Sequence, residues 1–284
     1  LGWDTVDYSN AGNGQANAQT ERTDVYSDGT LLATNNGDFT YSLTLATVAP
    51  TATGSGVIVF EGRVNAAEGR VPVSTAHRYF AITDDPAAPV ARRAVVDIER
   101  CDACHGFVTF HGNNRNDSIE ACQVCHNADA TRAGGAGPMD VKHFIHRKHA
   151  VDPIRYPQSV DNCLACHTDE AFYPVASDSG VLATSFTAGT LDLDPTDNAR
   201  TSPNSAVCSV CHASSDARAH MVQAGGGSFD ACQEADGTLR QRVDTCGPGG
   251  DKTGMVIAES CSVCHGPGRI ADVAVSHALR VAED

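Results

Sequence analysis

Five copies of the pattern Cys-x-x-Cys-His are the feature that most constrains this chain. They read CDACH, CQVCH, CLACH, CSVCH and CSVCH, and all of them lie after residue 100 of a 284-residue sequence. Two thiols three positions apart reach the two vinyl groups of one porphyrin, and the adjoining histidine then lies over the ring as a ligand of the iron. The pattern therefore predicts five covalently attached c-type haems.

Each motif assigns two attachment cysteines and one iron ligand. The cysteines predicted to form the thioether bonds are Cys101, Cys104, Cys122, Cys125, Cys163, Cys166, Cys208, Cys211, Cys261 and Cys264. The motif histidines predicted to bind iron are His105, His126, His167, His212 and His265. Zinc sites and disulfides also use Cys-x-x-Cys pairs. Histidine makes up only 12 of 284 residues, so its presence after all five pairs by chance has a probability on the order of 10⁻⁷, and we assign the motifs to haem.

The motifs divide the chain into two unlike parts. A length of 284 residues suits two domains, and no motif begins before residue 101. The stretch TDDPAAPVARRAVV at residues 83–96 holds an Asp-Asp-Pro turn and a second proline, which interrupt any strand. We therefore predict one domain at residues 1–95 and a second, pentahaem domain at residues 96–284.

Residues 1–95 contain no cysteine and are predicted to form short strands. Apolar and polar residues alternate in FTYSLTL at residues 39–45, the period of two that is typical of a half-buried strand. Further strands are predicted at residues 30–34, 57–61 and 76–83, with turn-forming stretches such as NNGD at 35–38 between them. The predicted class is a multidomain chain: an N-terminal all-β sandwich or small barrel, followed by a mostly irregular, short-helical pentahaem c-type cytochrome domain.

The N-terminal part shows no catalytic constellation. We assign Asp4, Asp7 and Asp28 to turns rather than to calcium, which no motif supports, and His77 to packing or to the surface. The expected role of this domain is spacing, docking or assembly.

The second axial ligands decide the function of the haem domain. Short helical pieces are predicted around the motifs, and a helix is predicted at residues 140–149. Beyond the motif histidines, six candidates face five iron positions: His111, His143, His146, His149, His220 and His277. Any one of His143, His146 and His149 can be the spare. Met139, Met221 and Met255 are competing ligands that would raise the potential, but five histidines suffice without them, so we predict all-histidine ligation and low potentials.

An iron held by two protein ligands has no open position for a substrate, so such haems pass electrons. The predicted function is electron transfer rather than enzymatic turnover. The alternative is a multihaem reductase of a nitrogen or sulfur oxyanion, which needs one open iron position. A structural unit of a conductive filament is compatible with electron transfer.

Charge and cysteine usage bound the location. The formal charge of −15 and pI of about 5.1 argue against nucleic acid and against docking on anionic lipid. No apolar run approaches the roughly 20 residues of a membrane span. Cys232 and Cys246 lie outside the motifs and are predicted to form a disulfide, which indicates an oxidising compartment outside the cytoplasm. The chain starts at Leu1 without a visible signal peptide, so we expect a processed or partial chain.

Several stretches resemble the OmcA/MtrC family of outer-membrane multihaem (decahaem) cytochromes. The similar stretches are VPVSTAHRYFAITD, ARRAVVDIERCDACHG, FHGNNRND, CQVCHN, VKHFIHRKH, YPQSVDNCLACHT, CSVCHASSDARAHM and SCSVCHGPGRIADVAVSHA. The resemblance covers roughly residues 71–284 and departs from the family pattern in lacking the other five haems.

The resemblance implies one half of such a protein, a β-domain followed by a pentahaem domain with two histidines on every iron. Carried over by position, the distal ligands are His111, His146, His149, His220 and His277, which leaves His143 as the spare. It further implies an extracellular or outer-membrane cell-surface location, with the periplasm as second choice. The implied partners are an outer-membrane electron conduit, other multihaem cytochromes or copies of this chain in a filament, and metal oxides or flavins as acceptors.

Overall fold

The computed structural model consists of small β-sheets and short helices. It describes residues 2–3, 25–27, 30–44, 48, 52–128, 130, 137–151, 161–168, 172–175, 179–187, 199–227, 229 and 259–277. The strands are β1 (Gly2–Trp3), β2 (Tyr26–Ser27), β3 (Thr30–Leu31), β4 (Thr34–Asn35), β5 (Tyr41–Ser42), β6 (Ser55–Phe60), β7 (Arg63–Ala66), β8 (Gly69–Pro72), β9 (Ala76–Ala81), β10 (Thr109–Phe110), β11 (Arg115–Asn116), β12 (Thr184–Thr187) and β13 (Ala199–Thr201). The helices are α1 (Ile98–His105), α2 (Ile119–Gln123), α3 (Val141–Val151), α4 (Pro203–Cys208), α5 (Ser215–Gln223), α6 (Ser262–His265) and α7 (Val273–Ser276), with a 3₁₀ turn at Cys163–Ala165.

The largest described sheet has three antiparallel strands in the order β1-β6-β9. β6 carries a run of β-branched residues, and it pairs along its whole length with β9, from Ser55 opposite Ala81 to Phe60 opposite Ala76. The strands predicted at residues 57–61 and 76–83 are thereby confirmed, with small shifts at their ends. The remaining described sheets have two strands each, and β7 and β8 form a hairpin. Closure into a sandwich or barrel stays a prediction.

The predicted half-buried strand at residues 39–45 is wrong over its described part. Phe39 is 98% exposed and has a positive φ of 66°, and only Tyr41–Ser42 pairs, with β4. Local turn chemistry overrides the alternation, because the Asp38 carboxylate accepts hydrogen bonds from both the backbone N–H and the hydroxyl of Thr40. The strand predicted at residues 30–34 is likewise divided, between β3 and β4.

The helices of the C-terminal part begin at polar side chains that accept hydrogen bonds from their first turns. Asp97 caps α1, Ser118 caps α2, and Ser214 caps α5. The helix predicted at residues 140–149 is confirmed as α3, and Asp140 in front of it accepts from the Lys142 N–H at 3.1 Å. Among the described residues, no helix is long and apolar enough to cross a membrane.

Some predicted residues lie outside the part that the structure describes. They are the disulfide candidates Cys232 and Cys246, together with Asp4, Asp7, Asp28, Leu45 and Met255.

Gly226 allows two segments of the haem part to come close together. The Gly226 carbonyl accepts the backbone N–H of Ser202, which starts α4. A Cβ at this position would lie 2.0 Å from the Ser205 hydroxyl and 2.7 Å from the Met221 carbonyl. Only glycine therefore fits between the end of α5 and the start of α4.

We expect Gly226→Ala to lower the free energy of unfolding by about 1 to 3 kcal/mol, because the added methyl group overpacks a buried contact. Gly62→Ala is the matched control, since a Cβ there meets no atom within 4 Å. Thermal unfolding followed by circular dichroism measures both. Equal unfolding midpoints for the two variants would contradict the close approach.

Candidate haem sites

Every motif folds into one helical turn. The backbone N–H of the motif histidine donates to the carbonyl of the first cysteine at 2.8 Å in the second motif, 3.0 Å in the third and 2.9 Å in the fourth and fifth. The first motif lies within α1. One turn places the two thiols and the imidazole of a motif on neighbouring positions, which is the arrangement that attachment of one porphyrin needs.

Seven of the ten motif cysteines are partly shielded from water, and Cys104, Cys211 and Cys264 are exposed. Burial raises the pKa of Cys122 and Cys208 to about 11, and that of Cys261 to about 12. Burial also raises the pKa of Cys163 and Cys166. These thiols are therefore neutral at pH 7, as suits an apolar surrounding.

Each motif histidine faces one further histidine ring. We number the sites I to V by the order of their motifs along the chain. The ring centroids are 6.2 Å apart for His105 and His149 (site I), 6.2 Å for His126 and His111 (site II), 5.9 Å for His167 and His146 (site III), 6.2 Å for His212 and His277 (site IV), and 6.2 Å for His265 and His220 (site V).

These separations fit a metal ion between the two rings. A metal–nitrogen bond of about 2 Å plus about 1.1 Å from the nitrogen to the ring centre, taken twice, gives about 6 Å. Direct packing of two aromatic rings also occurs at such distances, but here the partner of a motif histidine is always one of the five histidines named as distal ligands. The residues present therefore fit a haem iron at each motif.

Hydrogen bonds orient several of these rings for metal binding. Among the described residues, the Nδ1 of His126 donates to the Met139 carbonyl at 2.8 Å, and the Nδ1 of His265 donates to the Ala271 carbonyl at 3.0 Å. The same bond joins His149 to Ile145 at 2.9 Å, His167 to Val95 at 3.2 Å, and His146 to Lys142. Because a carbonyl can only accept, Nδ1 carries the hydrogen and Nε2 keeps its lone pair for a metal.

Burial also favours the neutral imidazole that a metal requires. It lowers the pKa of His167 to about 4, and it lowers the pKa of His111 and His146. The charges of Arg115 and His126 act in the same direction on His111. These rings are unprotonated at pH 7, so a metal does not have to displace a proton.

His143 lies on α3 with His146 and His149 but faces no motif histidine. It is buried, its Nδ1 donates to the Ala206 carbonyl at 2.7 Å, and its ring meets Phe186 edge to face. Its contacts tie α3 to α4, which is a packing role.

The methionines contribute differently. The Met139 carbonyl, not its sulfur, supports the ring of His126, and Met221 follows His220 within α5.

The sequence reasoning missed residues that connect one site to the next. The Arg100 guanidinium, next to the first motif, donates to the carbonyls of Leu164 and His167 in the third motif. The Glu259 carboxylate, two positions before the fifth motif, accepts from the Ser202 hydroxyl and from the N–H and side-chain amide of Asn204 in α4. A charged residue one or two positions before a cysteine motif is the sequence signal that could have pointed to both.

The second motif instead packs against strands β6 and β9 of the N-terminal part. Val124 of CQVCH forms a cluster with the fully buried Val57 of β6, which Tyr79 and Cys125 join. The Tyr79 hydroxyl donates to the Glu120 carboxylate at 3.0 Å, and His77 lies 3.7 Å from that carboxylate. His77 is exposed and its ring contacts that of Tyr79 edge to face at 5.4 Å, so it is a surface histidine.

We expect Arg100→Ala to lower the free energy of unfolding by about 1 kcal/mol, equivalent to about 2 to 4 °C in the unfolding midpoint, because two charge-assisted bonds are lost from an exposed position. Arg78→Ala, at an exposed arginine of β9, is the control and leaves the midpoint unchanged within about 0.5 kcal/mol. Calorimetry of the haem-loaded protein measures both. An unchanged midpoint in Arg100→Ala would show that the first and third motifs are held together by other contacts.

Comparison with known proteins gives one family. The family model described as outer membrane cytochrome MtrC/MtrF-like, domains II/IV, matches residues 93–278. No curated protein matches the chain. Similar solved structures are MtrC from Shewanella baltica OS185, with 20% identity over 64% of this chain and 27% of that chain and a TM-score of 0.38, and the outer membrane decaheme cytochrome OmcA, with 21% identity over 79% of this chain and 34% of that chain and a TM-score of 0.37. The chain thus spans about a third or less of the length of these two proteins.

Proposed function

Because the chain belongs to the MtrC/MtrF-like family of outer membrane cytochromes, we propose that it transfers electrons outside the cell along five c-type haems, each held by two histidines. The haems belong to residues 96–284, and residues 1–95 form the accompanying β-domain. Haem iron contributes a change of one electron between its ferric and ferrous forms. The protein's own residues bind the irons, set the order of the sites and exclude other ligands.

The observation that carries this proposal is the facing of ten histidines in five pairs. Each pair combines one motif histidine with one of His111, His146, His149, His220 and His277. Two strong nitrogen ligands on each iron leave no position for water or substrate and favour low potentials.

Contacts between elements support neighbours among the sites. Arg100, next to the first motif, donates to the carbonyls of Leu164 and His167 in the third motif, and α3 carries the facing histidines of sites I and III. Glu259, in front of the fifth motif, accepts from Asn204 of α4, the helix that ends at the first cysteine of the fourth motif. We infer that sites I and III are neighbours, and that sites IV and V are neighbours.

The proposed location and redox partners of the protein follow from its family and from its charge. The protein acts at the outer-membrane cell surface or outside the cell, where a net charge of −15 keeps it soluble. Metal oxides, flavins or another multihaem cytochrome receive the electrons. An outer-membrane conduit supplies them, and copies of this chain in a filament would extend the row of haems.

The oxyanion reductase is the weaker alternative. It requires an iron with one open position, whereas a second histidine ring faces every motif histidine at 5.9 to 6.2 Å. Outer-sphere transfer to an acceptor needs no such position.

We expect the oxidised wild-type protein to be entirely low-spin by electron paramagnetic resonance. His146→Asn removes a ligand from site III, so one iron in five becomes high-spin and the ferrous protein binds one carbon monoxide. His143→Asn is the matched control on the same helix, because asparagine keeps a donor for the Ala206 carbonyl and no iron loses a ligand. High-spin iron in the wild type, or in His143→Asn, would contradict this ligand assignment.

We expect a soluble ferric chelate to oxidise all five ferrous haems, and nitrite or sulfite to show no turnover. Electron transfer at a distance needs no open iron, whereas reduction of an oxyanion does. Stopped-flow absorption of the reduced protein measures both reactions. His146→Asn serves as the positive control, since its open iron reacts with nitrite. Steady oxyanion turnover by the wild type favours the reductase.

A further inference from the structure

His111 is held differently from the other four facing histidines. His146 and His149 lie on α3, His220 lies on α5, and His277 directly follows α7. His111 instead lies in the turn between β10 and β11, at residues 111–114. Among the described residues, no hydrogen bond to its ring is found. The ring can therefore stay at its place only if the backbone of the turn is held.

The backbone of this turn is in an unfavourable conformation. φ is +54° at His111, +69° at Gly112 and +67° at Asn113. Such values lie in the left-handed region, which side chains other than glycine and asparagine rarely adopt. Without contacts from outside, these residues would return to commoner conformations and carry the imidazole of His111 away from that of His126.

The contacts that hold the turn come from the β7–β8 hairpin. The Arg63 guanidinium donates to the Gly112 carbonyl at 3.2 Å, and the Asn113 amide donates to the Arg70 carbonyl at 2.7 Å. The Gly62 N–H donates to the Asn114 carbonyl at 3.1 Å. These three bonds act on three successive residues of the turn.

Asn116 connects the end of the turn to the same domain. This buried side chain, 1% exposed, donates to the carbonyls of Gly62 at 3.2 Å, Val73 at 3.0 Å and Asn113 at 2.9 Å, and it accepts from the Thr109 hydroxyl. Its backbone accepts from the Thr75 N–H at 2.9 Å. One side chain thus joins both ends of the turn to the β-domain.

The other side of site II rests on the β-domain as well. Val124 and Cys125 of the motif pack with Val57 and Tyr79, and Glu120 accepts from the Tyr79 hydroxyl. Both the motif and the facing histidine of site II are therefore held by residues of the N-terminal part. At the other sites, the facing histidine lies on or beside a helix of the C-terminal part.

We propose that the β-domain is part of site II: Arg63 and Asn116 are positioning residues that keep His111 on the iron. This inference rests on the proposed two-histidine ligation. Loss of these contacts releases His111 and leaves a five-coordinate iron at site II, while the other four irons keep both ligands.

Two variants that remove contacts holding the His111 turn, called the clamp variants, test the inference in the full-length, haem-loaded protein. Asn116→Ala removes the connecting amide, and Arg63→Ala removes a single bond should the first variant fail to fold. His111→Gly removes the ligand itself, so it gives the largest effect that the readouts can show at site II. Thr83→Val is the control, because it removes a hydrogen bond within the β-domain, to the Gly54 N–H, that does not involve the turn.

Three readouts report the ligand state: the high-spin ferric signal, the carbon monoxide bound per ferrous chain, and the return of the low-spin signal on adding imidazole. We expect up to one high-spin iron and one carbon monoxide per chain in Asn116→Ala, a smaller fraction in Arg63→Ala, and none in Thr83→Val. Imidazole restores the low-spin state in the clamp variants by binding the open iron. Binding of no more than one carbon monoxide per chain distinguishes this local loss from a general loss of structure, which would open several irons.

The outcomes separate this inference from the function. Low-spin iron throughout Asn116→Ala and Arg63→Ala, beside a high-spin iron in His111→Gly, overturns the clamp and leaves the ligation standing. A wild type that already contains high-spin iron overturns the ligation itself. High-spin iron in Thr83→Val as well would mean that any weakening of the β-domain has this effect, and it would reject the specific role of Arg63 and Asn116.

Discussion

The separation of two imidazole rings by about 6 Å, repeated at five motifs, is the constraint on which the rest of the structure depends. It requires a helical turn at each motif and a second element at a fixed distance opposite. Large apolar side chains are scarce in the buried part of the described chain, where alanine, serine and threonine predominate. The proposed five porphyrins would fill such an interior, so that short helical pieces suffice to build it.

Hydrogen bonds from polar side chains relate the sites to one another. Arg100 joins the first motif to the third, and Glu259 joins the fifth motif to the helix of the fourth. Asn116 joins the turn of His111 to the β-domain. Each of these residues stands beside a motif or a facing histidine. The polar contacts therefore set the relative placement of the haem sites, and the β-domain takes part in one of them.

The strands show where local patterns mislead. The strands β6, with its run of β-branched residues, and β9 were predictable, because they are paired along their length and the first half of β6 is buried. The alternation at residues 39–45 was just as regular, yet Phe39 is exposed and the Asp38 carboxylate turns the chain there. Periodicity reports burial only where a partner strand and a core exist, and a short window of sequence does not show either.

The sequence by itself determined the chemistry of this protein: the spacing of cysteines and histidine within one helical turn selects a covalent haem, and five repeats of it select a multihaem chain. It narrowed the facing ligands to six histidines, since few other residues of that type exist. Only the tertiary structure decided that His143 bonds the Ala206 carbonyl, and which histidine faces which motif. It alone also placed His111 under the β7–β8 hairpin. The motif depends on neighbours along the chain, whereas the facing histidine and the contacts that hold it come from other elements of the fold.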